Sequence, residues 1–571
     1  MSDAPFLPRF SKASDIDEFV AKLAAFEKGE LSNEDFRAFR LTRGVYGQRQ
    51  DGEQMLRVKV PMGLMGKDQL DAFADVADTY ARGIGHITTR QNFQFHFVKM
   101  AEAEAAMRRC DEAGLTIREA CGNSVRNVIA CESAEICGDS AFDVTPYAEA
   151  IARYFLRHPL AATLPRKFKI AFSGCNDDCA RGAINDLGFI AQVKDGEKGF
   201  RVMCAGGLSS SPFAAIVLHD FVPAADLPRV GEAILRLFDA LGNRQNRQRA
   251  RLKYVVKKMG EPAFRAKYTE IRNAVDAEAK AELVLVDSPK RIPAPPVEST
   301  ERGDGYLAWR ADSVVDQKQK GYAAIHIRLP LGDITSAQMR LLGPILNKFG
   351  DGSARITVDQ NILIPWVDLK SLPAIHKELA AAGLAQLGRD TASDVVACPG
   401  ASSCNLAVTS SRTLATAISE RLEKEDAKHL VAAKDTSIKI SGCPHSCGQH
   451  HVADIGFHGA AKHAHGLEGP SVPVYQLHLG GGVDERGARF GRQVVKITAK
   501  RVPDAVVTLL KLYDAEKTGD ESRSAFFERI DPKKVVAALV AVLGPFEEGD
   551  QHDIGQTTGF LVETRDGECA A

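Results

Sequence analysis

The sequence lacks the features that would place it in a membrane or on a nucleic acid. It has no run of about eighteen uncharged apolar residues, and its first residues contain no apolar stretch like that of a secretion signal. Its formal net charge is only −1, from 73 basic and 74 acidic residues, so a polyanion finds no overall attraction. We therefore expect a cytoplasmic protein that binds neither nucleic acid nor membrane.

A dinucleotide-binding motif and a disulfide framework are also missing. There is no G-x-G-x-x-G unit, so the reducing power for any redox reaction has to come from a separate protein. Twelve cysteines in 571 residues are too few for a disulfide-stapled secreted scaffold, and clustered thiols in a reducing compartment favour a metal. Eight of them form four close pairs: Cys131 and Cys137, Cys175 and Cys179, Cys398 and Cys404, Cys443 and Cys447.

The chain contains an internal duplication. The first two cysteine pairs recur as the last two at a nearly constant offset, which leads from Cys131 to Cys398 and from Cys175 to Cys443. Upstream, MLRVKVPMG and HITTRQNFQFHFV match IHIRLPLG and RITVDQNILIPWV at almost the same offset, from His86 to Arg355 for the second match. A chain of 571 residues also exceeds what one hydrophobic core usually supports. The sequence therefore predicts two related halves.

Each half repeats the same order of elements. Two strands of alternating character, each followed by a helical stretch, predict a unit of helices on an antiparallel sheet. A cysteine-bearing segment follows, and then a glycine-rich turn after a strand. Between the halves, residues 286–304 are rich in Pro, Gly and charge, which is typical of a linker. We predict an α+β protein with one such pair of units in each half.

The second-half cysteines supply four thiolates on two short loops. Small and turn-forming residues around them let the backbone wrap a bulky group and direct amide N–H groups at sulfur. Structural zinc usually takes tighter C-x2-C spacing, so the x5 and x3 spacings favour an iron–sulfur cluster held by four cysteines. Zinc and reduced structural thiols are the alternatives.

Several motifs resemble those of a known family. ACPGASSCNLA and SGCPHSCG are similar to the cluster motifs of the sirohaem-dependent nitrite and sulfite reductases, and TTRQNFQFH and LPRKFK to their substrate-half motifs. The resemblance covers about residues 40 to 545 and is closest to the assimilatory sulfite reductase haemoprotein. It implies an internally duplicated fold of two ferredoxin-like α+β units and two cysteine-bearing α+β cofactor domains, related by a pseudo-twofold.

This resemblance gives names to the predicted domains. We expect an N-terminal extension at residues 1–49, ferredoxin-like half-domains at 50–118 and 305–388, and a linker at 286–304. A sirohaem- and substrate-binding domain is expected at 119–285, and a domain for the 4Fe-4S cluster and sirohaem at 389–571.

The resemblance also implies a coupled cofactor pair and a reaction. A 4Fe-4S cluster is expected on the four second-half cysteines, with the Cys447 sulfur as axial ligand of the sirohaem iron. Such a centre suits the six-electron reduction of sulfite to sulfide, because electrons stored next to the substrate prevent the release of half-reduced intermediates. The electron donor would be a ferredoxin or a flavoprotein subunit. The implied cluster ligands are Cys398, Cys404, Cys443 and Cys447.

Sirohaem and its substrate are both anionic, so the site needs a dense set of Arg and Lys. By resemblance, Arg57, Arg126, Lys167 and Lys169 are the catalytic residues that face the bound anion, and Arg90 pairs with a sirohaem carboxylate. His86 stands where the family often has another arginine. The matching second-half positions of the five cations hold no permanent positive charge, which predicts one anion site made of first-half cations and second-half cysteines. Those positions are His326, Asp359, Ser393, Asp435 and Ser437.

The role of the first-half cysteines and the choice of substrate stay open. We interpret Cys131, Cys137, Cys175 and Cys179 as a relic of the duplication or as packing thiols, with a second cluster or another metal as the alternative. Lys169 in LPRKFK favours sulfite, because nitrite reductases of the family tend to have asparagine there and a second cation suits a doubly charged anion. Nitrite reduction to ammonia is one alternative, and a non-catalytic iron–sulfur or zinc protein for electron transfer or scaffolding is another.

Overall fold

The computed structural model describes residues 7–286, 292–424, 426, 436–464, 470–562 and 568. Four five-stranded sheets form the frame of these residues, numbered here sheets 1 to 4 in chain order. Sheets 1 and 3 are antiparallel and belong to the two ferredoxin-like units. In spatial order, sheet 1 consists of Val45–Gly47, Glu53–Lys59, Asn92–Lys99, Ile84–Ile87 and Asp333–Thr335, and sheet 3 of Val314–Asp316, Tyr322–Ile327, Ile362–Asp368, Ser353–Ile356 and Leu64–Gly66.

Helices cover one face of sheets 1 and 3. The helix Lys67–Tyr80 and its repeat Ser336–Phe349 pack against each other. Gly343 allows this close approach, because a Cβ at that position would lie 2.9 Å from the Lys67 side chain. Buried apolar residues of both units belong to one continuous core. The other helices of this region are Ala13–Glu27, Asn33–Thr42, Ala103–Glu112, Tyr306–Ser313 and Leu372–Ala381.

The two ferredoxin-like units exchange one strand each, so neither sheet is complete without the other half. Asp333–Thr335 pairs with Ile84–Ile87 in sheet 1, while Leu64–Gly66 pairs with Ser353–Ile356 in sheet 3. The sequence predicts a sheet in each unit but does not indicate this exchange, because strand pairing across halves leaves no trace in local periodicity. Sheet 1 also begins at Val45 rather than at residue 50, since Val45–Gly47 pairs antiparallel with the strand Glu53–Lys59.

The repeated Pro-x-Gly turns direct the exchanged strands across the pseudo-twofold. Gly63 and Gly332 both have positive φ, of +68° and +70°. A Cβ at Gly63 would lie 2.7 Å from the Ile356 carbonyl oxygen, and a Cβ at Gly332 would lie 2.7 Å from that of Ile87. Each glycine thus permits the close backbone contact between halves that a larger residue would prevent. The equal geometry at matched positions reflects the pseudo-twofold.

Sheets 2 and 4 carry the cysteine loops and share one mixed topology. In each, the first three strands along the chain are parallel and the last three antiparallel. In spatial order, sheet 2 consists of Ile216–Pro223, Glu197–Cys204, Leu187–Lys194, Phe168–Ser173 and Val125–Ala130, and sheet 4 of Val396–Ala397, Ile438–Ser441, Ile455–His463, Ser471–Leu479 and Arg492–Thr498. A two-stranded hairpin, Gly482–Asp484 with Gly487–Arg489, extends from sheet 4.

Helices flank these sheets and bury separate cores. Around sheet 2 they are Thr145–Phe155, Leu227–Leu241, Leu252–Met259 and Glu261–Glu278, and around sheet 4 they are Ser411–Leu422, Val502–Glu516, Arg523–Arg529, Pro532–Ala538 and Val540–Leu543. Within the described ranges, every helix is too short or too polar to cross a membrane.

Candidate functional site

One cavity between the halves brings together the residues that the sequence singled out. The space it encloses, counted together with the solvent at its open mouth, is about 1330 Å³, and residues of both halves line it. All five predicted cations and all four second-half cysteines line it: Arg57, Arg90, Arg126, Lys167, Lys169, Cys398, Cys404, Cys443 and Cys447.

The two cysteine loops of the second half are held against each other by backbone hydrogen bonds. Cys398 N–H donates to the Ile440 carbonyl at 3.2 Å, and Val408 N–H donates to the Gly442 carbonyl at 2.7 Å. Gly442 N–H points at the Cys398 sulfur, 3.3 Å away. This is the backbone-amide contact to sulfur that suits a cluster ligand, because it stabilises charge on the thiolate.

The four cysteines differ in exposure, and the other three raise the pKa of Cys443. Cys443 is buried, whereas Cys447 is exposed to the cavity. Burial, and then the neighbouring thiols of Cys447, Cys398 and Cys404, raises the pKa of Cys443 well above its ordinary value. Metal binding at Cys443 would therefore displace a proton from its thiol. None of the eleven described cysteines forms a disulfide.

Glycine at position 448 is required for this loop packing. A Cβ at Gly448 would lie 2.0 Å from the Ile440 carbonyl oxygen, so Gly448→Ala has to move the loop that carries Cys443 and Cys447. We expect this variant to retain less than half of the wild-type iron after purification. Gly138→Ala is the matched control, because a Cβ at this glycine beside Cys137 meets nothing within 4 Å. Iron analysis of both purified variants checks this, and equal iron in both would contradict it.

The arginines are fixed by the ends of first-half strands. Arg90 donates to the Asn185 Oδ1 at 2.9 Å and to the Asn127 carbonyl at 2.5 Å, and burial lowers its pKa to about 9. Arg126 donates to the Gly122 carbonyl at 2.8 Å. The Nε of Arg57 donates to the Gln94 amide oxygen at 2.9 Å. These contacts orient each guanidinium at the cavity wall.

Lys167 and Lys169 lie at the start of the strand Phe168–Ser173 of sheet 2. Lys169 N–H donates to the Asp186 carboxylate at 2.9 Å, and the buried pair of Asp186 with Arg251 anchors that carboxylate at 2.8 Å. Burial, and then the positive charges of Arg90, Arg251 and Lys167, lower the pKa of the Lys169 ammonium well below its ordinary value. A bound anion would offset the repulsion among these positive charges.

The matched positions of the second half carry no unbalanced positive charge among the described residues. Asp359, the counterpart of Arg90, pairs with Arg181 at 2.6 Å and with Lys439 at 2.6 Å. Burial alone would raise the pKa of Asp359, but Arg181 and Lys439 hold it far below the usual range. Ser437 donates to Asp454 at 2.7 Å. Asp435 lies outside the described residues. The second half therefore has no described excess of positive charge at these places.

Tyr46, Gly47 and Gln48 also line the cavity, although no motif in the sequence indicates them. Arg49 and Gln50, which follow them, hold the loop that carries Cys398 and Cys404. The Gln50 amide donates to the Ser402 carbonyl at 2.9 Å, and Arg49 donates to the Ala407 carbonyl at 2.6 Å. The one available signal was the density of glycine and polar residues in GVYGQRQ.

The cavity wall also holds a carboxylate. Glu568 of the C-terminal segment accepts from Arg40 at 2.8 Å and from Gly47 N–H at 2.6 Å. The Arg40 guanidinium and the Gly47 amide thus bind the Glu568 carboxylate at the rim of the cavity. His86 contacts Asp333 at 3.0 Å, and burial, despite that carboxylate, lowers the pKa of His86.

Buried polar atoms without a described hydrogen-bond partner test whether a polar cofactor fits. Arg90 Nε, Asn92 Oδ1 and Asn405 Oδ1 belong to cavity residues and find no partner among the described residues. Unsatisfied buried polar atoms are rare and costly, at about 1–3 kcal/mol each. Together with the five cations and the four thiols, they fit an anionic cofactor beside a thiolate-bound cluster.

Three of the four first-half cysteines also lie close together. Cys131 and Cys175 lie close enough to Cys179 to raise the pKa of its thiol. Burial, and then the neighbouring Cys131 thiol, raises the pKa of the Glu132 carboxyl to about 8, and the Glu135 carboxylate is paired with Arg355 at 2.7 Å. These thiols are not among the residues of the large cavity.

A cation-lined cavity with four clustered thiols defines the class of an iron–sulfur oxidoreductase that acts on a small anion. Two family models match the chain: "Nitrite and sulphite reductase 4Fe-4S domain" at residues 121–274 and 388–551, and "Nitrite/Sulfite reductase ferredoxin-like half domain" at residues 46–113 and 315–382. The chain belongs to the nitrite and sulfite reductase family, whose members contain sirohaem and a 4Fe-4S cluster. This confirms the predicted family and the duplicated α+β fold.

Curated relatives of both substrate types are similar to the chain. It is 30% identical to a ferredoxin–nitrite reductase of Synechococcus elongatus over 83% of this chain and 88% of that one. It is 29% identical to sulfite reductase [ferredoxin] 1 of Mycolicibacterium paratuberculosis over 84% of this chain and 83% of that one. The solved structure of Mycobacterium tuberculosis NirA superimposes with a TM-score of 0.74 at 25% identity, covering 93% of this chain and 98% of that chain.

Proposed function

We propose that the protein reduces sulfite to sulfide at a sirohaem coupled to a 4Fe-4S cluster. The observation that supports this most is that five first-half cations and four second-half cysteines line one cavity. Neither half carries both sets at that cavity, so the site exists only in the assembled chain. The proposed cluster ligands are Cys398, Cys404, Cys443 and Cys447, and the exposed Cys447 is the thiolate proposed to be shared with sirohaem.

When bound, the coupled centre supplies electrons and holds the substrate at a metal. The protein's own residues do the remaining work. Arg57, Arg126, Lys167 and Lys169 attract the anion and neutralise its charge, and Arg90 is proposed to hold a sirohaem carboxylate. Lys169 also suits proton delivery, because its lowered pKa brings proton release closer to neutral pH.

The preference for sulfite rests on the second lysine. Two lysines and two arginines around the substrate space place more charge there than a monoanion needs, and the surplus favours a dianion. Nitrite is the second candidate, because relatives of similar identity are named for each substrate. We therefore propose sulfite as the preferred substrate and nitrite as a slower one.

The experiment that tests this function compares specificity constants on the two anions. We expect a higher kcat/KM for sulfite in the wild-type protein, and Lys169→Asn should shift the sulfite-to-nitrite ratio toward nitrite by about tenfold, because one charge-assisted contact contributes ~1.5–3 kcal/mol. The same samples should show sirohaem absorbance bands that move when sulfite is added. A wild-type preference for nitrite would overturn the substrate assignment, and absence of the bands would support a non-catalytic iron–sulfur protein.

The electron donor is proposed to be an external ferredoxin or flavoprotein. The relatives named above are ferredoxin-dependent by name, and the chain has no dinucleotide-binding motif of its own. Activity with reduced ferredoxin, but not with NADPH alone, is the expected result.

Anion binding should weaken as the pH rises. Lys169 in the substrate-free protein has a lowered pKa, and a bound anion raises it again. Below the substrate-free pKa the lysine is already charged and affinity is constant; between the two pKa values binding takes up a proton, so affinity falls by up to about tenfold per pH unit. Nitrite is the suitable probe, because it stays ionised throughout the neutral range. Spectroscopic titrations should show this slope in the wild type and a flatter one in Lys169→Arg. A flat wild-type profile would refute it.

A further inference from the structure

Four histidines form a largely buried cluster next to the second cysteine loop. His450 and His451 lie on the short turn His450–Val452, and His458 and His478 come from neighbouring antiparallel strands of sheet 4. His450 is 0%, His478 1% and His451 5% exposed. Ring centroids lie 4.1 Å apart for His450 and His451, and 4.9 Å apart for His450 and each of the other two.

His450 is the least satisfied member of this cluster. Both of its ring nitrogens are buried, and neither has a hydrogen-bond partner among the described residues. An imidazole always carries at least one N–H, and leaving a buried donor or acceptor unpaired costs about 1–3 kcal/mol. Hydrophobic side chains of the same size would avoid that cost. The arrangement therefore calls for a ligand at the ring nitrogens of His450.

The geometry around His450 is that of a nitrogen-donor metal site. One ring nitrogen each of His450, His451 and His478 lies within 4.8 Å of the others. Zinc at about 2.0–2.1 Å from each nitrogen of a tetrahedron places nitrogens roughly 3.3–3.4 Å apart, so small ring rotations suffice to close the site. His458 stands beside this group of three: its Nδ1 lies 2.8 Å from His478 Nε2, a hydrogen-bond distance, so metal binding would exchange that bond for a fourth nitrogen ligand.

The remaining ring contacts orient the ligands as outer contacts of metal sites do. His451 Nε2 is 2.9 Å from the Ser209 carbonyl, and His478 Nδ1 is 3.3 Å from the Gly491 carbonyl. A ring N–H held by a carbonyl leaves the other nitrogen's lone pair available to a metal.

We propose that His450, His451, His458 and His478 bind one structural zinc ion. Four imidazoles without a thiolate or carboxylate suit a borderline divalent ion such as Zn²⁺, and burial leaves no open position for a substrate. Because Ser209 belongs to the first half, the site ties the turn that follows Cys447 both to sheet 4 and to the other half. The zinc site is separate from the proposed cluster and does not rest on the proposed reaction.

The test measures zinc in the full-length, cofactor-loaded protein after equilibration with ZnCl2 and removal of loose metal on a chelating resin. We expect about one zinc per chain in the wild type, and less than a tenth of that in His450→Gln and in His478→Gln. The matched control is His376→Gln, since His376 is buried in the second half away from the cluster and should retain the full zinc content.

X-ray absorption at the zinc edge of the wild-type protein makes the result independent of whether a variant folds. A shell of nitrogen at about 2.0–2.1 Å without sulfur at about 2.3 Å is expected. A sulfur shell would show zinc on the cysteines and overturn the proposal. Zinc content below a tenth per chain in the wild type, or equal content in the wild type and His450→Gln, would do the same. Iron content and anion reduction of the same samples report separately on the proposed function.

Discussion

Cys443→Ser is expected to remove the iron–sulfur cluster and to abolish anion reduction, while Cys175→Ser at the matched first-half position leaves both largely intact. The two cysteines occupy equivalent places in the duplicated halves, and each begins a C-x3-C loop. Only Cys443 belongs to the cation-lined cavity. Serine is nearly isosteric, so the comparison isolates the thiolate rather than the packing.

The magnitude follows from what the ligand does. Cys443→Ser removes one of the four proposed thiolate ligands, so we expect cluster iron in this variant to fall to a tenth or less of the wild type and kcat to fall by at least about 10³-fold. Thermal unfolding of both variants controls for general damage. If Cys175→Ser lost as much iron as Cys443→Ser, the first-half cysteines would have to be ligands of a metal as well.

Lys169→Met should lower kcat/KM for sulfite by about 10²–10³-fold. Removing one positively charged group aimed at the anion removes ~2.7–4 kcal/mol of transition-state stabilisation in comparable sites. Because burial, and then the neighbouring cations, lower its pKa, the Lys169 ammonium is stabilised more by a bound anion than an isolated lysine would be. Its loss should therefore affect the reaction more than it affects the fold.

Lys439→Met is the matched control for Lys169→Met. Lys439 is a buried lysine of the second half whose charge is balanced by Asp359, and Asp359 keeps its pair with Arg181 when the lysine is removed. This variant should keep kcat/KM within about threefold of the wild type. Lys169→Arg should recover a large part of the lost activity, because it retains the charge. Activity of Lys169→Met within threefold of the wild type would show that the lysine does not face the substrate.

The sequence was sufficient for the features that a local pattern or the duplication encodes. Matched offsets give the two halves, because each repeat keeps its own motif order. Arg90 and Lys169 of the first half correspond to Asp359 and Ser437 of the second, so the sequence shows that the cations lie in one half. The structure places those cations in the same cavity as the second-half thiols. This juxtaposition follows from a pseudo-twofold that brings the two cysteine-bearing units face to face.

Other features depend on contacts between distant segments and could not be predicted. The exchange of Leu64–Gly66 and Asp333–Thr335 arises from strand pairing between halves. The alternation of residues within a strand does not show which strand it pairs with. Tyr46 and Gly47 reach the cavity because their strand joins the edge of sheet 1. The histidine cluster combines a turn with two strands, and nothing local distinguishes His478 from any other histidine in a strand.

Acid-labile sulfide and iron per chain are the most direct measurement of the central claim, that the duplicated chain builds a single composite site from first-half cations and second-half cysteines. A single composite site should yield about four sulfides, four cluster irons and one further iron in sirohaem. About eight sulfides with eight cluster irons would show that Cys131, Cys137, Cys175 and Cys179 hold a second cluster, and would contradict the claim.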